Sequence, residues 1–465
     1  MTLPAAPEPF LPEVVGRAMD RAAGGRPIPG NRVTVLFDGP EVYPAMLDRI
    51  AAARRWIHLD NYIIRSDATG LRFAEALIER ARAGIPVRVQ TDWLGSLTTR
   101  RSFWRRLRAA GASVRAFNPP RLIRLRQNLI RDHRKLLVVD GETAVAGGLC
   151  LGNEWAGAPA AGRQPWRDTG VAIDGPAAAA LDRAFAAVWR LTGPPLEETE
   201  LPAEAPMRGE SALRVVAGEP GGVRAFRATE LLLAGAAERI WITDAYFVAP
   251  RGIYQALLDA AREGIDVRVL APGKSDLPRV QRLTRVDYYE LLRAGVRIFE
   301  WRGPMLHAKT IVVDGRWIRV GSSNLNVSSL LANYEIDILA DDPGLGQVME
   351  AQFRRDIDRS VEVRLREPAE GRRHRRVLEA LTPAPEADAP SHHPSLRERR
   401  RRAVVTLRAV LSTSRRGLLL QAAVGLVLVG ALFLLVPRVM AAVCAALSLW
   451  LAAAAWAESA RRRRD

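Results

Sequence analysis

The sequence is poor in the residues that cross-link a chain or hold a soft metal. Two cysteines, Cys150 and Cys444, occur in 465 residues, which excludes a disulfide framework and a cysteine-based zinc site. Lysine is nearly absent. Of 68 Lys+Arg residues, only Lys135, Lys274 and Lys309 are lysines, and there are 6 histidines. The N-terminal stretch MTLPAAPEPFLPEVVGRAMD lacks a basic segment followed by an apolar one, so it is not a secretory signal. Residues 1–29 read as a flexible leader. What is abundant is arginine. A net charge of +17 asks for an anionic partner, and anionic lipid or nucleic acid would both serve. The length suits two or three domains, and 48% hydrophobic residues supply their cores.

The scarce residues are not scattered. HRKLLVVDG begins at His133 and HAKTIVVDG at His307. Two of the few histidines and two of the few lysines thus stand at the same two places of a repeated motif. On a strand, His133 and Lys135 point to one face, as do His307 and Lys309. Asp140 and Asp314 complete the motifs. They fall on the opposite parity and are expected to act in support, at a turn before Gly141 and Gly315.

The repeat is longer than the motif. RRWIHLDNYII (54–64) resembles ERIWITDAYFV (238–248), aligning Asp60-Asn61-Tyr62 with Asp244-Ala245-Tyr246; His58 reads as a core residue of the first of these strands. RFAEALIERARAGIPVRVQTD resembles IYQALLDAAREGIDVRVLAPG, each an amphipathic helix, a glycine cap (Gly84 or Gly264) and a β-branched strand. Each half reads strand–helix–strand–helix–strand, then the motif on a further strand. That order predicts an α/β protein of two pseudo-symmetric lobes, each a mixed or parallel sheet covered by helices. The lobes span 30–200 and 207–365 and are expected to pack face to face. A pseudo-two-fold axis then joins both motifs in one site, and no oligomer is required to complete it.

Such a site suits a phosphodiester. The lysines neutralise phosphoryl oxygens. One imidazole attacks phosphorus, and the other protonates the leaving oxygen and then deprotonates the acceptor. A neutral imidazole needs its second nitrogen held by an acceptor. Asp168 in WRDTG and Glu335 in NYEID are placed for this. Gly148 (beside Gly147), Ser322 and Asn324 are expected to support the site or bind the phosphate. The spacing matches no zinc site, so neither metal nor other cofactor is expected.

The C-terminal region differs in character. Residues 366–415 read as a basic, flexible linker, and 416–458 contain two apolar runs, 417–436 and 439–457. They are read as a transmembrane helical hairpin. Arginines precede the first run and fill the basic tail, 459–465. The positive-inside rule then places both ends, and the catalytic region, in the cytoplasm.

The doubled His-x-Lys-x4-Asp motif, followed by GGLCLG in one half and GSSNLN in the other, resembles the phospholipase D superfamily. WRDTG, PGKSD, LLRAGVRIFEW, LHAKTIVVDG and GSSNLNVSSLLANYEID resemble the bacterial cardiolipin synthases within it. Two departures stand out. Cys150 occupies a position where the family usually has asparagine, and the apolar runs are C-terminal where many members carry theirs at the N-terminus. The resemblance implies phospholipase D-like lobes and a bacterial inner-membrane enzyme. It further implies that the enzyme condenses two phosphatidylglycerol molecules through a phosphatidyl-histidine and releases glycerol. His133 is then the nucleophile and His307 the acid. The alternative is a phospholipase D that uses water as acceptor. A nuclease or a non-enzymatic membrane tether is less favoured, and nucleic acid is not the expected partner.

Overall fold

Short apolar runs alternating with amphipathic helices can bury both kinds of element only as a sheet with helices on its faces. The computed structural model has this layered form. It describes residues 10–120, 127–158, 161–202, 204–365 and 378–379. The chain divides after Glu386, and all described residues belong to the unit before that point.

The first half runs α1 (Phe10–Ala23), β1 (Ile28–Phe37), α2 (Asp38–Ala52), β2 (Ile57–Asn61), α3 (Ala68–Arg82), β3 (Val87–Asp92), α4 (Arg101–Ala109), β4 (Ser113–Phe117), β5 (Lys135–Val139), β6 (Thr143–Gly147), α5 (Asn153–Ala156), β7 (Thr169–Asp174) and α6 (Pro176–Trp189). The second runs β8 (Ser211–Gly218), α7 (Arg224–Ala234), β9 (Arg239–Asp244), α8 (Arg251–Arg262), β10 (Asp266–Pro272), α9 (Pro278–Ala294), β11 (Arg297–Trp301), β12 (Lys309–Val313), β13 (Trp317–Gly321), α10 (Val327–Leu331), β14 (Glu335–Asp341), α11 (Pro343–Asp358) and β15 (Ser360–Leu365), with a short β16 (Leu378–Glu379). β2, β3 and β4 are parallel, as are β9, β10 and β11. The motif strands β5 and β12 run antiparallel to β2 and β9. Both are buried along their whole length, which explains their unbroken apolar sequence. Gly84 and Gly264 take φ of +85° and +91° where α3 and α8 end, a conformation open to glycine at little cost.

The strand order is nearly a palindrome: β16-β15-β11-β10-β9-β12-β13-β14-β8-β1-β7-β6-β5-β2-β3-β4. The halves join at its centre, where β1 and β8 pair antiparallel through Ile28–Leu213 and Asn31–Ser211. The two half-sheets also pack on one another, β7 against β13 and β6 against β14. Val138, Ala146 and Phe185 of the first half share one apolar core with Val312, Val320 and Ile338 of the second. This common core fixes the two motifs relative to each other.

Two expectations need revision, and a third is borne out with an added ionic role. The leader is not wholly unstructured, because α1 occupies Phe10–Ala23. Met19, Ala22 and Ala23, at helical spacing, are buried in the second half's core with Ala225 and Ala228 of α7, and Asp20 pairs with Arg214 at 2.9 Å. The expected linker contains β16, which pairs with β15. His58 is in the core, but as an ionic residue. Its Nδ1 lies 2.5 Å from Asp182, and its Nε2 3.4 Å from Glu200 of the inter-lobe connection. Among the described residues no helix is long and apolar enough to cross a membrane. The predicted hairpin, 416–458, lies outside the described residues, as does the basic tail.

Candidate active site

His133 and His307 stand two residues before β5 and β12, on segments that reach across to the other lobe. The His133 amide donates to the Tyr334 carbonyl at 2.9 Å, and the His307 amide donates to the Arg167 carbonyl at 2.7 Å. The side chains repeat this crossing. His133 Nδ1 lies 3.0 Å from both carboxylate oxygens of Glu335, a second-half residue. His307 Nδ1 lies 2.7 Å from Asp168 Oδ2, a first-half residue. Each imidazole from one lobe is therefore oriented by a carboxylate of the other, so neither lobe alone holds its histidine ring in place. Asp168 is fixed further by the Trp155 indole N–H at 3.0 Å and the Thr169 amide at 2.8 Å. Glu335 accepts the Ser322 hydroxyl at 2.5 Å.

Burial pushes the pKa of His133 down, and Lys135 adds to this while Glu335 opposes it. His307 goes lower, to about 4, through burial and Lys309, against the pull of Asp168. Both rings are neutral at neutral pH, the form a nucleophile needs. Burial alone would raise the two carboxylates. The facing histidines and nearby lysines instead hold Asp168 and Glu335 below the usual range. Lys309 also acts on His133 and Lys135 on His307, so all four groups share one cleft.

Each lysine ammonium donates to the carbonyl of its own motif histidine, Lys135 to His133 and Lys309 to His307. An ammonium has further donors to offer an anion. Burial lowers Lys309 to about 8. Tyr62 and Tyr246 flank the pair. The Tyr62 ring is 4.8 Å from the His133 ring and 5.1 Å from Lys135 Nζ, and the matching values for Tyr246 are 6.1 Å to His307 and 5.9 Å to Lys309 Nζ.

Of the residues expected to support the site or bind the phosphate, Gly148 and Ser322 are employed in support. A Cβ at Gly148 would stand 2.1 Å from Asp168 Oδ1, so this glycine makes room for the carboxylate that orients His307. Ser322, its counterpart, uses its hydroxyl on Glu335 and accepts the Ile336 amide at 2.9 Å. It therefore serves the His133 side. Asn324 is buried, its Oδ1 has no partner among the described residues, and its amide reaches Ser329 at 3.4 Å. Cys150, at the equivalent place in the first half, is fully buried, and burial raises its thiol pKa.

Asp140 and Asp314 are not brought to the cleft. They lie at the far ends of β5 and β12 with φ of +58° and +54°. Asp140 accepts the amides of Arg54, Arg55 and Trp56 at 3.0, 2.7 and 2.9 Å. Asp314 accepts those of Ala237, Glu238 and Arg239 at 2.8 Å each. Each carboxylate pins the start of the neighbouring parallel strand. Asp314→Ala should cost about 2 kcal/mol and lower the melting temperature by roughly 4 °C. The turnover of the folded protein should stay within about threefold of wild type, against the 10²-fold or greater loss expected for a proton-transfer group. Thermal unfolding and initial rates on the same preparation check both numbers.

Several supporting residues were invisible in the sequence. Arg134, the variable residue of the first motif, is buried between Asp60 (2.5 Å) and Asp132 (2.9 Å), and Asp132 also accepts from Gln90 at 2.7 Å. This network braces the residue before His133. Ala308 replaces Arg134 in the second motif, where Arg167 does comparable work between Asp356 (2.9 Å) and Asp38 (3.3 Å). The alignment of Asp60 with Asp244 is off by one. Asn61 pairs with Lys135 as Asp244 pairs with Lys309. Asn61 is thus the true counterpart of Asp244, and Asp60 points to the opposite face.

Comparison with known proteins gives a consistent result. Residues 231–357 match the family described as cardiolipin synthase, phospholipase D-like domain. The chain is 35% identical over 353 residues to cardiolipin synthase A of Pseudomonas aeruginosa, covering 74% of this chain and 71% of that protein. It is 33% identical over 335 residues to the major cardiolipin synthase of Bacillus subtilis, covering 70% and 69%. Among solved structures, phosphatidylserine synthase of Haemophilus influenzae aligns with a TM-score of 0.59 at 16% identity, over 75% of this chain and 92% of that one. That last likeness is one of fold.

Proposed function

The chain belongs to the cardiolipin synthases, enzymes with phospholipase D-like domains, and we propose that its shared cleft transfers a phosphatidyl group from one phosphatidylglycerol to the hydroxyl of a second. The observation that carries the chemistry is the pair of crossed dyads, His133–Glu335 and His307–Asp168. The anionic diester sits between Lys135 and Lys309. His133, neutral and held by Glu335, attacks phosphorus. His307 donates its proton to the departing glycerol oxygen, leaving a phosphatidyl-histidine. The neutral His307 then takes the proton of the acceptor hydroxyl as that oxygen attacks, which frees His133. The 2.7 Å contact with Asp168 supports the imidazolium form of His307. A bound phosphate anion offsets the burial and the Lys309 charge that empty it of its proton. The opposite order has one observation in its favour, the pKa of His307, which burial and Lys309 push down to about 4.

The catalytic residues, the inner-membrane location and the cytoplasmic face of the site are parts of the same proposal. The basic composition and the two apolar C-terminal runs support the last two. Purified protein given phosphatidylglycerol should yield cardiolipin and free glycerol in equal amounts. Phosphatidic acid as the main product would instead make it a hydrolase. EDTA should change the rate by less than about twofold, because ammonium groups do the charge work of a cation. Loss of activity with EDTA, restored by a divalent ion, would overturn that assignment.

A further inference from the structure

Exposed leucines are concentrated beside the cleft. Leu94 and Leu97 are 50% and 56% exposed, Leu129 is 77%, and Leu277 and Leu283 are 47% and 43%. All five lie on segments tied to the site. The 93–99 loop is anchored where Ser96 Oγ bonds the Ile64 amide at 3.0 Å and the Tyr62 carbonyl at 3.3 Å, and the Tyr62 ring meets His133 edge to face. Asp92 accepts the Leu94 amide at 2.9 Å and the Asp132 amide at 3.1 Å, which joins that loop to the segment carrying Leu129 and His133. In the other lobe the Tyr246 hydroxyl donates to Asp276 at 2.8 Å, next to Leu277. The two loops are pseudo-symmetric: each follows the middle parallel strand of its lobe, β3 or β10, and leads into α4 or α9. Exposed cations accompany the leucines in both, Arg100 and Arg101 after them in one, Lys274 before and Arg279 between them in the other. Neither α4 nor α9 has an acidic residue in its first turn.

An apolar rim bordered by cations on both sides of one cleft is a poor surface to leave in water. It matches an anionic bilayer, in which leucines enter the acyl boundary and arginines meet phosphates. We infer that the 94–101 and 274–283 segments dock the catalytic face directly onto an anionic lipid bilayer, so that a diacyl substrate passes into the cleft without crossing water. This docking is distinct from any hold exerted by the C-terminal apolar runs. It rests on the phospholipid reading of the site.

Hydrogen–deuterium exchange on the full chain tests it. Vesicles of phosphatidylglycerol should slow exchange at residues 94–101 and 274–283 relative to phosphatidylcholine vesicles. Exchange around Met207, an exposed residue at the far end of β1 beside Gly30, should not change. No protection at either loop would overturn docking, whatever the catalytic result. Protection that appears equally without lipid as the protein is concentrated would mean that a second copy, not a bilayer, covers the rim, and would also overturn it. A second reading uses Leu94→Ser/Leu97→Ser/Leu277→Ser/Leu283→Ser. Each buried leucine side chain favours partition by about tenfold or more. The variant should therefore lose at least about tenfold of its rate on phosphatidylglycerol vesicles. Its rate on a monomeric short-chain phosphatidylglycerol should stay within about twofold, and Met207→Ser should change neither. Equal losses on both substrates, or none on either, contradict docking. Failure of the wild type itself to convert the short-chain substrate would strike the functional reading and leave the exchange result standing.

Discussion

His133→Ala and His307→Ala are each expected to reduce phosphatidyl transfer by about ten-thousand-fold or more, and the double variant to be little worse than either single one. Residues that act as one unit lose most of their joint effect at the first deletion. The fold should survive both changes, because the carboxylates left behind keep other partners. Asp168 retains the Trp155 indole and the Thr169 amide. Glu335 retains the Ser322 hydroxyl. Thermal unfolding measured beside the initial rates separates lost chemistry from lost structure. Transfer above about a tenth of wild type in either variant, in a folded protein, would remove the two-histidine mechanism. Glu335→Gln and Asp168→Asn should be milder, since the ring is still held but its imidazolium form is less favoured.

Lys135→Arg and Lys309→Arg should each lose about a hundredfold or more in rate, although the charge is kept. An ammonium is a compact point donor and a guanidinium a wide planar fork. Each lysine also donates back to the carbonyl of its own histidine in a buried space that the fork would displace. The wild-type pH profile gives an independent reading. Lys309 works in its protonated form and its pKa is pushed down to about 8. The protonated fraction therefore falls as pH rises through 8, and kcat/KM should fall tenfold per pH unit beyond it. With the phosphate anion bound, the ammonium form is favoured, so the break in kcat should lie at higher pH. In Lys309→Arg the break near pH 8 should vanish, because guanidinium does not titrate in this range. An unchanged alkaline limb in that variant would assign it to another group. Near-normal rates in both arginine variants would reduce the lysines to general electrostatics.

The sequence made the motif residues legible because scarcity did the sorting. Lysine and histidine are rare in this chain, so their recurrence in one register at 133–135 and 307–309 carried information that arginine positions could not. The parallel strands were legible for a similar reason, since glycine caps at Gly84 and Gly264 punctuate clear amphipathic helices. What the sequence could not show is the crossing. Asp168 and Glu335 were candidates, but nothing in chain order says that each serves the other lobe's histidine. That pairing follows from the shared core of Val138, Phe185, Val312 and Ile338. The role of Gly148 was also hidden, because a glycine that yields space to Asp168 has the same letter as one that approaches a phosphate. The one-residue offset between Asn61 and Asp244 is hidden in the sequence because the matching aromatic residues Tyr62 and Tyr246 suggest an ungapped alignment. Register is set by strand pairing, and a slip of one residue changes the face of every side chain.

The covalent intermediate is the most direct test of the mechanism. A His307→Ala variant lacks the acid but keeps the nucleophile, so a phosphatidyl ester with an aryl leaving group, which departs without a proton, should load the enzyme and stall there. Mass spectrometry of the digested protein should find the phosphatidyl group on His133. An unlabelled His307→Ala variant, alongside a His133→Ala variant that carries the group on His307, would reverse the order of the two histidines. Label on neither histidine in either variant, with transfer still proceeding in the wild type, would contradict the covalent mechanism itself.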